Sequence, residues 1–107
     1  MKPAPPLRAI TFDLDDTLWD IGPVIRAAES RMESHLRRHF PTMAQHLPAG
    51  EVRRRMHALA AQRPELAHHV TALRMTVLRE AAHAAGAPPQ AADSAFAAFI
   101  EARNAVT

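Results

Sequence analysis

At 107 residues the chain has room for one domain with a real core and not for two. Its 48% hydrophobic and 22% charged residues are the balance of a soluble globular protein, and no run is long or apolar enough to span a bilayer. A formal net charge of only +2 argues against a strongly cationic nucleic-acid binder, and the lack of cysteine excludes a disulfide framework and a thiolate metal site.

The chain opens with a Pro-rich leader over 1–6, expected to be mobile, and shows no signal peptide. Residues 7–13 then form a short apolar run rich in strand formers, Ala9-Ile10-Thr11-Phe12 at its centre, which reads as a buried parallel-type strand. Asp13 and Asp15 sit at its carboxyl end, where open α/β sheets bind ligands. Residues two apart on an extended chain point the same way, so these two carboxylates can converge on one point. A hard divalent cation such as Mg²⁺ relieves their repulsion. One carboxylate can attack phosphorus, and the other can protonate the leaving oxygen and then activate water. Thr17 adds a hydroxyl and a backbone N–H suited to a phosphate oxygen. A calcium loop starting at Asp13 fails, because Leu18 stands where glycine is needed and Val24 where the bidentate glutamate belongs.

The stretch Asp13-Leu14-Asp15-Asp16-Thr17-Leu18, after its apolar run, resembles motif one of the haloacid dehalogenase superfamily. The resemblance implies that Asp13 is the nucleophile and a Mg²⁺ ligand. It makes Asp15 the general acid/base and a second ligand through its backbone carbonyl. Asp at position 15 points to the phosphatase branch, and Asp16 stands where glycine is commoner. Trp19, the single tryptophan, is expected either to line the substrate cleft or to anchor packing beside it.

Beyond Asp20 the pattern is helical. Pro23 suits a first helical position, and Ile25, Ala28, Met32, Leu36 and Phe40 recur at helical spacing until Pro41. A short turn of helix is expected over 42–47 before Pro48. A second helix is expected over 49–62, with Val52, Met56, Leu59 and Ala60 inward. Pro64 and Glu65 read as the first turn of a third, whose stripe is Leu66, Val70, Leu73, Val77 and Ala81, closed by Gly86 as a left-handed cap. Val70, Thr71, Thr76 and Val77 favour a strand locally, but the stripe decides for helix. Pro88-Pro89 open a fourth helix with Phe96, Phe99 and Ile100 inward, running to about Ala105.

The expected fold is therefore mainly α as the sequence stands: one strand and a bundle of four to five helices. A lone buried-type strand has nothing to pair with, so the chain is expected to be part of a larger molecule. In the helical-cap branch of the superfamily a helical bundle is inserted directly after motif one. The resemblance thus divides the chain into a strand and motif-one loop over 1–20, a cap over 21–104, and the start of a return linker over 105–107. The ending Phe-x-x-Phe-Ile-x-x-Arg-Asn at Phe96 to Asn104 belongs to that cap. The implied parent fold is a Rossmann-like core with a helical cap, and the implied activity is Mg²⁺-dependent phosphomonoester hydrolysis of a small phosphorylated metabolite. Members of the superfamily carry a later Ser/Thr, a Lys and further acidic ligands, yet Lys2 is the only lysine here. The piece alone is thus expected to be nearly inactive. The expected location is cytoplasmic, with no nucleic-acid or membrane partner. The alternative is a non-enzymatic helical module that dimerises through its exposed strand or cap helices.

Two side-chain groupings stand apart from that reading. Arg53-Arg54-Arg55 is the one dense basic run, expected as a solvated helix face with few aromatics to stack on bases. His35 and His39 lie one helical turn apart, a zinc-compatible spacing, but no third ligand accompanies them. His68 and His69, adjacent in sequence, are expected at solvent or in a loop.

Overall fold

Pro23 sets the first helix, α1 (Pro23–His39), at the position where a missing N–H costs nothing. The computed structural model describes residues 22–105, and the expected strand over 7–13 lies outside them. Five α-helices and one 3₁₀ turn make up the described residues, with no strand among them: α1, α2 (Pro41–His46), α3 (Glu51–Gln62), the 3₁₀ turn Pro64–Leu66, α4 (Val70–Ala85) and α5 (Gln90–Asn104). The mainly helical expectation holds.

Prolines place most of the breaks. Phe40, Leu47 and Arg63 each precede a proline, and each leaves the helical region with φ between −139° and −130° and ψ between 64° and 80°. The proline ring crowds the residue before it out of the α conformation, which ends α1, α2 and α3 at those points. Pro41 and Pro64 then start the next turn at its first position, so each proline stops one element and begins another. The expectation that Pro64 and Glu65 open the third long helix is corrected here. They form a separate 3₁₀ turn, and α4 starts only at Val70, after the loop that carries exposed His68 and His69.

The end of α4 uses a different device. Gly86 takes φ 70°, its N–H donates to the His83 carbonyl, and the Ala87 N–H reaches the Ala82 carbonyl at 2.9 Å. This paired closure satisfies carbonyls the helix leaves open and needs a residue without a Cβ penalty.

α1 lies chiefly along α5, α5 along α4, and α4 along α3, while short α2 bridges α1 and α4. The core between them holds Ile25, Ala28, Met32 and Leu36 of α1 as the spacing predicts, with Met43, Val52, Met56, Leu73, Val77 and Leu78. Phe40, Leu59, Ala60, Leu66, Phe96 and Ile100 pack at its edge, half-buried. Phe99 is the largest wholly buried side chain, and the rest of the inner face of α5 is alanine: Ala91, Ala92, Ala95 and Ala102. Small side chains there let the α5 axis approach its neighbours closely. Val24 is the one large apolar side chain left exposed among the described residues. No helix among them is long and apolar enough to cross a membrane.

Candidate functional site

Asp13, Asp15, Thr17 and Trp19, the residues to which the sequence assigns chemistry, lie outside the described residues. What the structure shows is the helical unit that follows them, with two polar constellations.

The first crosses four helices. Glu29 of α1 accepts two hydrogen bonds from Arg53 of α3, from Nη2 at 2.8 Å and from Nε at 3.4 Å. It accepts a third from Arg74 Nη2 of α4 at 3.1 Å. The Arg74 guanidinium lies over the Phe99 ring of α5, with Cζ 4.0 Å from the centroid. Arg74 is only 4% exposed, and Arg53 and Glu29 are mostly covered. Burial pushes the Arg74 guanidinium below its ordinary pKa. The Glu29 charge and hydrogen bond oppose that shift, whereas Arg53 and Arg103 reinforce it. One carboxylate therefore serves two guanidiniums, and Arg53 Nη1 and Arg74 Nε find no acceptor among the described residues. The cluster ties the four helices together through one carboxylate, two guanidiniums and the Phe99 ring.

This arrangement corrects part of the sequence reading. Arg54 and Arg55 do occupy a solvated face, both paired with Glu51 at 2.6 and 2.8 Å, but Arg53 turns inward to Glu29. Arg74 was missed, although a signal existed. Leu78, Ala81 and Ala85 follow it at four, seven and eleven residues, so Arg74 occupies an inward-facing helical position.

The second constellation sits between α1 and α5. Ser94 Oγ lies 2.6 Å from His35 Nε2, and the His35 and His39 rings stand 4.6 Å apart, tilted. Burial lowers the His35 pKa, and the nearby His39 and Arg38 charges lower it further. A groove of about 310 Å³ opens beside them, lined by Arg31, Ser34, His35, Arg38, His39 and Glu101 among others. Among the described residues no group of three or more histidines and carboxylates could hold a metal ion.

No family model matches the sequence, and no solved structure matches it. Among curated proteins, the chain is similar to the 5-amino-6-(5-phospho-D-ribitylamino)uracil phosphatase YigB of Escherichia coli (strain K12). The two are 32% identical over 100 residues, which cover 92% of this chain and 42% of the relative. The chain therefore spans less than half the length of that phosphatase. Coverage this complete leaves too few residues unmatched to exclude the Asp13 to Thr17 segment, so the matched region contains it.

Proposed function

We propose that this chain carries the nucleophile segment and the helical cap of a phosphomonoester hydrolase of the haloacid dehalogenase superfamily. The observation that carries this reading is the similarity to a phosphatase across a span that includes Asp13-Leu14-Asp15-Asp16-Thr17 and the helical unit after it. That the relative's named substrate is a phosphorylated small molecule accords with a small phosphorylated metabolite here.

In this reading an Asp13 carboxylate oxygen attacks phosphorus. The phosphorus–oxygen bond to the alcohol breaks as Asp15 gives that oxygen a proton. Asp15 then takes a proton from water, which attacks the aspartyl-phosphate, releases inorganic phosphate and restores Asp13. The Thr17 hydroxyl and N–H hold a phosphoryl oxygen, and Trp19 borders the substrate. Mg²⁺ fits the donor set, which is all oxygen, with the Asp13 carboxylate and the Asp15 backbone carbonyl as its ligands. Held there, the ion would supply positive charge that offsets the charge of the nucleophile and of the phosphoryl group. The helical unit shields the site from water and limits substrate size. A cytoplasmic setting accords with the lack of cysteine.

The alternative is a non-enzymatic module that associates through its strand, which lies outside the described residues, or through its cap helices, where Val24 is the one exposed large apolar side chain among the described residues. The hydrolase reading is tested by grafting this chain in place of the matched region of the Escherichia coli phosphatase. A folded graft should hydrolyse p-nitrophenyl phosphate with Mg²⁺, and Asp13→Asn should reduce turnover by roughly three orders of magnitude. A folded graft indifferent to Asp13→Asn would sink the assignment.

A further inference from the structure

Arg53, Arg54, Arg55, Arg63 and Arg74 each meet a carboxylate. Arg31 and Arg38 do not: both are exposed on α1, and neither has a hydrogen-bond or ion-pair partner among the described residues. They stand seven residues apart, two helical turns, so they share one stripe of the helix. His35 lies between them on that stripe and His39 one turn further on, and all four side chains line the groove that α1 forms with α5. Ala98, the small residue facing them from α5, leaves the groove open.

Helix polarity does not account for this grouping. A cation in the last turn of a helix is favoured by the negative end of its dipole, and Arg37, Arg38 and His39 occupy that turn. Arg31 sits two turns earlier, beyond the reach of that effect. Arg37, which shares the last turn, is already engaged with Ser34 Oγ at 3.0 Å.

We propose that the groove between α1 and α5 binds a phosphate dianion, free or carried by a small molecule, between the guanidiniums of Arg31 and Arg38. Two guanidiniums placed on one stripe offer the planar paired donors that suit phosphate oxygens. His39 lies beside them in the groove, while His35 Nε2 is engaged with Ser94 Oγ at 2.6 Å. Glu101 on the opposite wall leaves an excess of positive charge and accepts hydrogen bonds from hydroxyls of an organic portion. The groove, about 310 Å³ and open to solvent, has room for a phosphate group. The site consists wholly of residues between Arg31 and Glu101 and does not depend on the hydrolase reading.

His35 provides an internal reporter. The groups that face it are Arg31, Arg38 and His39 on its own helix, and Ser94 and Glu101 on α5. Burial is the main cause that lowers the His35 pKa, followed by the His39 and Arg38 charges; a bound anion offsets those two charges, so occupancy should raise it.

The experiment follows the imidazole resonances of the whole 107-residue chain by NMR at constant ionic strength, during titration with inorganic phosphate and then with phenyl phosphate. The expected result is a saturable shift at His35 and His39, with His57 and His68 unmoved. Arg31→Gln and Arg38→Gln should each weaken binding at least about tenfold, with far-UV circular dichroism unchanged. Tighter binding of phenyl phosphate assigns the ligand as a phosphomonoester, and equal binding assigns free phosphate. Three results overturn the proposal: a shift that never saturates, the same shift from sodium chloride alone, or unchanged affinity in both folded variants.

Discussion

Glu29 holds two guanidiniums, one of them almost wholly buried, so its charge matters more than its volume. Glu29→Gln keeps the shape and removes the anion, leaving Arg53 and Arg74 to face each other without compensation. Loss of one partner from a buried ion pair costs about 3–5 kcal/mol. Arg74→Met removes the buried cation instead and leaves an unbranched side chain to pack on Phe99. The expected order in urea denaturation is that Glu29→Gln lowers the midpoint more than Arg74→Met. The double variant should then be more stable than Glu29→Gln alone. A reversed order would show that packing, and not charge compensation, governs this position.

At the scale of an element, α3 begins with Glu51, which accepts from Arg54 and Arg55 and lies in the first turn, where a negative charge is favourable. Hydrogen bonds from Arg54 and then Arg55 hold its pKa at about 2, against an ordinary 4.5. A carboxylate whose pKa is depressed on folding contributes its stability above the unfolded value and loses it as pH falls through the folded one. The midpoint of thermal unfolding should therefore drop between about pH 4.5 and pH 2, by an amount that salt reduces because the Arg54 partner is exposed. Glu51→Gln should flatten that part of the profile. An identical slope in the variant would assign the acid sensitivity to other carboxylates.

At the scale of the whole molecule, the described helices supply a cap-like unit and no complete catalytic constellation. The resemblance calls for a Lys near the nucleophile and a Ser/Thr that grips the phosphoryl group, and the sequence offers a single lysine, Lys2. Without such a lysine, the charge that develops on the phosphoryl oxygens would lose much of its stabilisation. The 107-residue chain by itself is expected to hydrolyse p-nitrophenyl phosphate little or not at all in the presence of Mg²⁺. Robust Mg²⁺-dependent turnover by the isolated chain, lost in Asp13→Asn, would refute that expectation while strengthening the assignment of Asp13.

The sequence by itself determined what depends on local chemistry. Prolines mark helix limits because their rings constrain the residue before them. The Ile25–Ala28–Met32–Leu36 stripe must face inward because it repeats at the helical period, and Gly86 closes α4 because few other residues accept a positive φ. The Asp13-x-Asp15-x-Thr17 spacing likewise carried the chemical proposal, which rests on sequence and similarity alone. Tertiary structure decided what depends on partners distant in the chain. Alanine has no side chain long enough to announce a core, yet Ala91, Ala92 and Ala95 lie at its centre because α1 and α4 approach them closely. Arg53 turns inward while Arg54 and Arg55 do not, because Glu29, twenty-four residues earlier, stands on the facing helix. The groove of Arg31 and Arg38 exists only where α5 presents Ala98 and Glu101 against α1. Charge pairing across helices is a property of the packed arrangement, and no one-dimensional period encodes it.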